Sequence, residues 1–382
     1  MVGDGKKIVL VVNVAWSMFN FRHGLIARLL EEGYSVTIIT APDEFSIKLR
    51  DMGCEVIDLA ISAKGTNPFR DLQLVYDLYR YYSKLKPDFI IHYSIKPNIY
   101  GSLAAKLAGY PSIAITTGLG YTFLNNNIIA NVARTLYRLS FCFPKEVWFL
   151  NDDDRQTFLR HRLVSRNKAV LLFGEGVDLE HFKPRHKAQS NNTMAIEPVR
   201  FLLIARMLWD KGVAEYVDAA RIVKNSYPQA IFQLLGPCDV ENPSAINRNL
   251  IANWETEGVV EYLGTTEDVR PLIAEADCVV LPSYREGIPR TMIESAAMAK
   301  PLIVSDVAGC REVVIPDVTG FVCQVKDAQD LAQCCQKLIA LDTIERSFMG
   351  NAGRQFMEEQ FDEELIIEQY LTMLKKYGVS NV

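Results

Sequence analysis

At 382 residues, with 49% hydrophobic and 23% charged side chains, the chain is too long for one growing core and too apolar for disorder, so two α/β domains are expected. A net charge of −5 excludes a general nucleic-acid binder, which needs clustered Lys and Arg to neutralise phosphates. The charge is uneven: residues 1–182 carry 21 Lys and Arg against 18 Asp and Glu (+3), and the remainder carries −8, a weak lean of the first half toward anionic acceptors or an anionic membrane surface.

The polar first seven residues lead into the apolar run 8–12, which reads as a strand and not as a signal peptide. No stretch reaches the roughly 18–20 apolar residues of a spanning helix. A soluble or membrane-peripheral protein in a reducing compartment is therefore expected. Its eight cysteines, which include no Cys-x-x-Cys pair and no zinc-site spacing, then read as free thiols filling small apolar spaces.

Short β-branched runs at 8–13, 35–40, 55–59, 89–93, 113–116, 147–150 and 169–173 alternate with amphipathic stretches such as 22–32, 69–86 and 98–108. This is the pattern of a doubly wound parallel sheet. The polar, aperiodic segment 183–193 reads as an interdomain linker, and alternation restarts with strands at 201–205, 231–235, 259–263, 278–281 and 302–305. Residues 328–377 read as helical throughout. Two such halves predict a cleft, with ligands held just beyond the carboxyl ends of the strands.

Two post-strand segments carry chemistry. After 278–281 comes Pro282-Ser-Tyr-Arg-Glu286-Gly-Ile-Pro-Arg290-Thr-Met-Ile-Glu294. One carboxylate sits in a Gly/Pro loop and the other about a turn and a half into a helix. Pro289 at the helix start, the free amides at Arg290 and Thr291, and the positive end of the helix dipole make an anion site. Carboxylates on either side can accept hydrogen bonds from sugar hydroxyls, as a nucleotide sugar requires. The plainer alternative makes Glu286 a loop cap and Glu294 a solvated helix residue. After 201–205 comes Arg206-Met-Leu-Trp-Asp-Lys211-Gly212, two cations placed to neutralise a departing diphosphate, or simply two basic residues on a wet loop.

Taken together, Arg206-x4-Lys211-Gly212 and Glu286-x7-Glu294 resemble the retaining family-4 glycosyltransferases of the two-domain GT-B fold, and Leu235-Gly236-Pro237, Tyr262-Leu263-Gly264 and the segment 303–309 also fit. The resemblance spans nearly the whole chain. It implies two Rossmann-like domains facing a cleft: an acceptor domain at 1–182, a linker at 183–198, a donor domain at 199–360 and a final helix, 361–382, crossing back to the first domain. It implies catalytic roles for Glu286, Arg206 and Lys211, with Glu294 on the ribose, and a donor site completed by Gly287, Ile288, Pro289, Arg290, Thr291 and Gly236. No cofactor and no metal are expected.

A finer resemblance rests on Phe21-Arg22, Thr66-Asn67-Pro68-Phe69, Lys96-Pro-Asn98, Gly118-Leu-Gly120, Leu208-Trp-Asp-Lys-Gly212 and Glu241-Asn-Pro-Ser244. These are similar to bacterial N-acetylgalactosaminyltransferases and relatives that extend undecaprenyl-diphosphate-linked saccharides for glycoprotein, O-antigen or capsule. The implied partners are a UDP-sugar and a polyprenyl-diphosphate-linked acceptor, with no nucleic acid, at the cytoplasmic face of the inner membrane. A soluble acceptor or a non-catalytic nucleotide-sugar binder on the same fold are the alternatives.

Residues 14–22 lack the glycine-rich loop many such enzymes carry after the first strand, so Ser17, Asn20 and Arg22, with Lys96 and Asn98, are the acceptor-side candidates. The same lack of glycine argues against a dinucleotide-dependent oxidoreductase. His92 and His23 read as locally bonded residues ahead of catalytic bases, and His161, His181 and His186 as loop residues. Asp152-Asp-Asp154 reads as helix capping ahead of a metal site. The mixed aromatic and basic stretches 69–86 and 134–145 suit a membrane-facing surface and core packing equally.

Overall fold

The computed structural model describes residues 5–61, 67–118, 128–185 and 198–381. It divides into one unit made of Met1–Glu175 with Glu363–Val382 and another made of Gly176–Asp362. Most of the expected linker falls outside the described residues.

The first unit is built on strands β1 (Lys7–Val14), β2 (Ser35–Ala41), β3 (Glu55–Asp58), β4 (Phe89–Tyr93), β5 (Ser112–Thr116), β6 (Glu146–Phe149) and β7 (Ala169–Leu171). They form a parallel sheet in the order β3-β2-β1-β4-β5-β6-β7. Val11 pairs with His92, His92 with Ala114, Ala114 with Val147 and Val147 with Ala169, so this row lines one side of the sheet. Four helices cover that side: α3 (Pro68–Leu85), α4 (Ser102–Ala108), α5 (Ile128–Ser140) and α6 (Asp152–Arg160), which follow α1 (Ala15–Glu31) and α2 (Phe45–Asp51) along the chain. Leu74, Leu78 and Tyr82 of α3 pack with Ala104 of α4 on Val11 and Ile90. Tyr137 and Phe141 of α5 pack with Phe158 of α6 on Ala114 and Val147.

Three local features explain where helices begin. The first helix starts at Ala15, well before the expected residue 22, because Asp43 from another segment accepts from the Trp16 amide at 2.9 Å; the helix then breaks at Arg22 (φ −137°). Asn67 caps α3, accepting from the Phe69 amide at 3.0 Å with Pro68 in the first turn. The expected helix 98–108 is a π-helical turn, Pro97–Gly101, running into α4. A Cβ on Gly101 would sit 2.5 Å from the His92 ring, so glycine lets this turn press on β4.

The second unit holds β8 (Arg200–Ile204), β9 (Ile231–Leu235), β10 (Glu261–Tyr262), β11 (Cys278–Leu281), β12 (Leu302–Ser305) and β13 (Gly320–Cys323), in the parallel order β10-β9-β8-β11-β12-β13. Between its strands lie α7 (Val213–Ser226), α8 (Arg248–Thr256), α9 (Arg270–Glu275) and α10 (Arg290–Ala297). Phe201, Leu203 and Phe232 face one core, while Leu202, Leu235 and Val279 face the other. The tail is three helices, α11 (Ala328–Ala340), α12 (Thr343–Gln360) and α13 (Glu363–Lys376), with a capping box of Asp342 and Glu345 restarting the second. The first two belong to this unit and α13 to the first unit.

There α13 lies on the other side of the first sheet. Tyr377 stacks on Phe89 at 5.7 Å, Tyr370 lies 4.9 Å from Trp148, and Glu364 and Glu368 pair with Arg28 of α1. Beyond it, the Tyr34 hydroxyl donates to the Val379 carbonyl, and Asn381 accepts from the Lys6 amide and donates to the Glu32 carbonyl. Among the described residues no helix is long and apolar enough to cross a membrane, and the cysteines are free thiols, mostly buried.

His92 is fully buried, its Nε2 3.0 Å from the Tyr82 hydroxyl, and burial lowers its pKa to about 3. Between about pH 6.5 and 3 the unfolded chain binds a proton at this residue that the folded chain refuses, so stability rises with pH across that window. Urea unfolding of the first unit should therefore lose about 1.4 kcal/mol per pH unit as pH falls below His92's usual range. The loss should be smaller in His92→Gln, and an unchanged slope in that variant would contradict the assignment.

Candidate active site

In the second unit β8 and β11 are neighbours, and from them the sheet winds outward in opposite directions, so the loops after these two strands flank the switch point where ligands bind in open α/β sheets. Both constellations singled out above occupy these loops.

After β8, the Ala205 amide donates to the Leu235 carbonyl and the Met207 amide to the Pro237 carbonyl. A 3-10 turn, Trp209–Lys211, then ends at Gly212 (φ +73°), from which α7 begins. The loop after β11 is strapped to it: the Tyr284 amide and the Ser283 hydroxyl both donate to the Asp210 carbonyl, at 2.9 and 3.1 Å. Here Lys211 Nζ meets Glu286 Oε1 at 2.5 Å, with both side chains largely buried. The Glu286 amide donates to the Ala308 carbonyl at 3.1 Å, and the Ser305 hydroxyl donates to the Ser283 carbonyl, so the segment after β12 backs the glutamate loop.

Three glycines permit this stacking. A Cβ on Gly212 would lie 2.0 Å from the Pro282 carbonyl oxygen, one on Gly236 (φ +136°) 1.9 Å from that of Ala205, and one on Gly309 (φ +83°) 2.4 Å from that of Gly287.

Pro289 is the cap residue of α10, one position before the expected first helical residue, and no side chain caps the first turn at Arg290 and Thr291. Arg290 Nε bonds Glu294 Oε1 at 3.0 Å one turn along. Burial raises the Glu294 pKa and Arg290 opposes the rise, so this is an enclosed carboxylate, not the solvated helix residue of the plainer alternative. Gly287 and Ile288 are half-buried in the connecting loop. Arg206 is exposed, and among the described residues its guanidinium makes no ion pair or hydrogen bond.

The sequence pattern thus assembles as two charge pairs, Lys211 with Glu286 between adjoining loops and Arg290 with Glu294 along α10, with Arg206 as the cation lacking a carboxylate partner among the described residues. The supporting groups went unnoticed in the sequence: the Ser283 and Ser305 hydroxyls donate to backbone carbonyls, of Asp210 and Ser283, and a serine bonded to a carbonyl leaves no spacing signal. Tyr284 was also missed; it donates to Glu215 at 2.6 Å.

The first-unit candidates follow the neighbouring strands β1 and β4, and each is engaged with the chain itself. The Ser17 hydroxyl donates to the Val14 carbonyl and the Asn20 amide to the Trp16 carbonyl, both local bonds in α1. Arg22 is buried against Glu175, with its guanidinium 4.0 Å over the Tyr93 ring. Burial pulls its pKa down, but Glu175, Tyr93 and Tyr370 outweigh that and hold it above the usual value. Lys96 pairs with Asp71 at 2.7 Å, and Tyr100 donates to the other oxygen of that carboxylate. For Arg22 or Lys96 to hold a phosphate, each would have to exchange an existing carboxylate. The Asn98 amide donates to the Ile115 carbonyl at 2.8 Å, while its buried oxygen has no hydrogen-bond partner among the described residues.

Asp152-Asp-Asp154 forms the first turn of α6, with Asn151 as its cap, and no group of three or more potential metal ligands occurs among the described residues. His23 is exposed beside Phe19.

Comparison with known proteins fits this arrangement. Residues 198–340 match the family model described as glycosyl transferases group 1, and residues 7–148 the one described as glycosyl transferase 4-like. An N,N'-diacetylbacillosaminyl-diphospho-undecaprenol alpha-1,3-N-acetylgalactosaminyltransferase of Campylobacter jejuni is 32% identical, the alignment covering 96% of this chain and 98% of that one. A UDP-Gal:alpha-D-GlcNAc-diphosphoundecaprenol alpha-1,3-galactosyltransferase of Escherichia coli is 24% identical over 68% of each chain. The crystal structure of Anabaena HepE in complex with UDP shares the fold, with a TM-score of 0.77, 19% identity and coverage of 97% of this chain and all of that one (100%).

Gly309→Ala should destabilise the second unit by about 1–3 kcal/mol, since it adds a methyl in a left-handed conformation against two carbonyls. Gly353→Ala, inside α12 where a Cβ would meet nothing closer than 3.8 Å, should be neutral or stabilise by up to about 1 kcal/mol. Urea midpoints compare the two, and equal effects would mean that the loop contact is not tight.

Proposed function

The chain belongs to the group 1, GT4-like glycosyltransferases of GT-B fold, and on that premise we propose that it moves an N-acetylhexosamine such as GalNAc from a UDP-sugar to an undecaprenyl-diphosphate-linked saccharide, with retention of configuration, during glycan, O-antigen or capsule assembly. The observation that carries the donor half is the enclosed Lys211–Glu286 pair beside the uncapped first turn of α10, both at the switch point of the second sheet. What carries the acceptor half is the likeness to relatives whose names specify undecaprenol-diphosphate acceptors.

The bond that breaks joins the anomeric carbon to the β-phosphate oxygen, and UDP leaves with the electron pair. Arg206, without a carboxylate partner among the described residues, stands ready for that negative charge. Lys211 adds to it, and so do the first-turn amides and dipole of α10. Glu286 holds Lys211 in place and accepts from a hydroxyl of the donor sugar, while Glu294, enclosed and ordered by Arg290, accepts from the ribose. The acceptor hydroxyl oxygen bonds the anomeric carbon on the side UDP vacates, and its proton passes to an oxygen of the departing phosphate. The reading needs no metal and places the enzyme peripherally at the cytoplasmic face of the inner membrane.

UDP at about 100 times its Kd should stabilise the protein by about 2.7 kcal/mol, visible as a thermal shift. Glu286→Gln should still fold, with a lowered unfolding midpoint because the Lys211 charge loses its partner, and should cut transfer to a synthetic polyprenyl-diphosphate sugar, read by mass spectrometry, by about a hundredfold or more. Undiminished turnover in that variant would remove the central assignment.

A further inference from the structure

The first turn of α10 faces its task without a side-chain cap. The helix is eight residues long, about 12 Å, and so short a helix does not hold itself in water. Its amides therefore stand where the rest of the second unit puts them, and the fastening lies at the opposite end. There the Lys300 amide donates to the Ser295 carbonyl at 3.1 Å, with Ala299 turned into the left-handed region (φ +57°). The last helical carbonyl, that of Ala297, accepts from Arg354 Nη1 at 2.9 Å.

Arg354 belongs to α12, which approaches this end of α10 backbone to backbone: a Cβ on Gly350 would lie 2.1 Å from the Ala299 carbonyl oxygen. The same Nη1 donates to the carbonyls of Leu179 at 3.1 Å and Phe182 at 3.0 Å, and Nε donates to Glu358 at 2.6 Å. Leu179 and Phe182 lie in the turn with which the second unit opens. That turn is closed by its own bonds, the Asp178 carboxylate accepting from the Glu180 and His181 amides and the Asp178 carbonyl from the Phe182 amide. Just before it, the Val177 amide donates to the Phe361 carbonyl at 2.8 Å, beyond the end of α12. Val177, Phe182, Met357 and Phe361 share one core with Met292, Ile293, Ala296 and Ala297 of α10. The opening turn and α12 thus make a closed frame, and one guanidinium, its side chain only 17% exposed, ties α10 to it. A cation suits the place, because three carbonyl oxygens converge there and one of them ends a helix.

We propose that Arg354 is a positioning residue for transfer: by holding the carboxyl end of α10 it sets where the first-turn amides and Glu294 meet the UDP moiety. Its charge does not act on the diphosphate itself, since the influence of a charge at a helix end fades within a turn. The role rests on the donor reading above and names the group that holds the donor helix in register.

The full-length protein and its variants are titrated with UDP by calorimetry, well below their unfolding midpoints, and assayed with UDP-N-acetylgalactosamine as donor. Arg354→Met, which keeps the length of the stem and removes the charge, should raise the UDP Kd and the donor KM about tenfold. Ground state and transition state lose the same contacts, so kcat at saturating donor should stay within about threefold and the acceptor KM within about twofold. Arg354→Lys reaches only part of the carbonyl set and should raise the UDP Kd about threefold, which decides the matter if the methionine variant does not fold. Lys168→Met takes a cation from the Cys142 and Pro144 carbonyls of the first unit; its midpoint should fall while its UDP Kd stays within about twofold of wild type. Unchanged UDP affinity in both Arg354 variants would reduce the residue to a structural anchor and overturn the proposal. So would an equal loss of affinity in Lys168→Met, or a fall in kcat with Kd and donor KM unaltered. A wild type that binds no UDP would remove the donor reading itself and this role with it.

Discussion

In the second unit, everything at the site depends on how closely four loop backbones approach one another. Gly212, Gly236 and Gly309 each stand where a methyl group would collide with a carbonyl oxygen. Their absence of a Cβ lets the segments after β8, β9, β11 and β12 stack. A carboxylate and an ammonium are thereby forced together in a largely enclosed place. Such a pair contributes little net stability, because desolvation offsets most of the attraction, yet removing one partner leaves a charge with no compensation. The arrangement is better understood as preorganisation: the loops fix the polar groups before any ligand arrives, so that little reorganisation is left for the reaction.

Much of this was legible in the sequence, for identifiable reasons. Strands at 89–93, 231–235, 278–281 and 302–305 were located to the residue because they are short apolar runs bounded by polar or turn residues. The Gly320–Cys323 strand was missed; it is four residues long and opens with a glycine that lies against Leu302. The early start of α1 was invisible because its supporting carboxylate, Asp43, belongs to a different segment. At the site, residue type and spacing picked out Lys211, Glu286, Arg290 and Glu294, but not that they would pair two by two. The carbonyl of Asp210 is a backbone group, and no side-chain pattern announces it.

The first unit shows the opposite limit. Arg22 looked like an anion ligand because it follows the first strand without competing glycines, but its partner Glu175 lies 153 residues away in sequence. A guanidinium cannot be buried alone, and here the neutralising group and two tyrosines come from elements that no local pattern connects. Lys96 and Asp71 repeat the lesson with Tyr100 as the third member. Where polar residues are committed internally in this way, the exposed character of the unit is set by what is left over: cations and apolar side chains on the outer sides of α3, α4 and α5.

The placement of α13 bears on the order in which the molecule is made. The sheet side carrying Phe89 and Trp148 is covered by residues that leave the ribosome after the entire second unit, and Asn381 links the last turn to the start of β1. The half synthesised first is therefore the half completed last. Until residues 363–381 emerge it exposes an aromatic sheet surface, while the second unit already has its whole sequence available, so assembly in the cell runs against the usual amino-to-carboxyl sequence of domain folding.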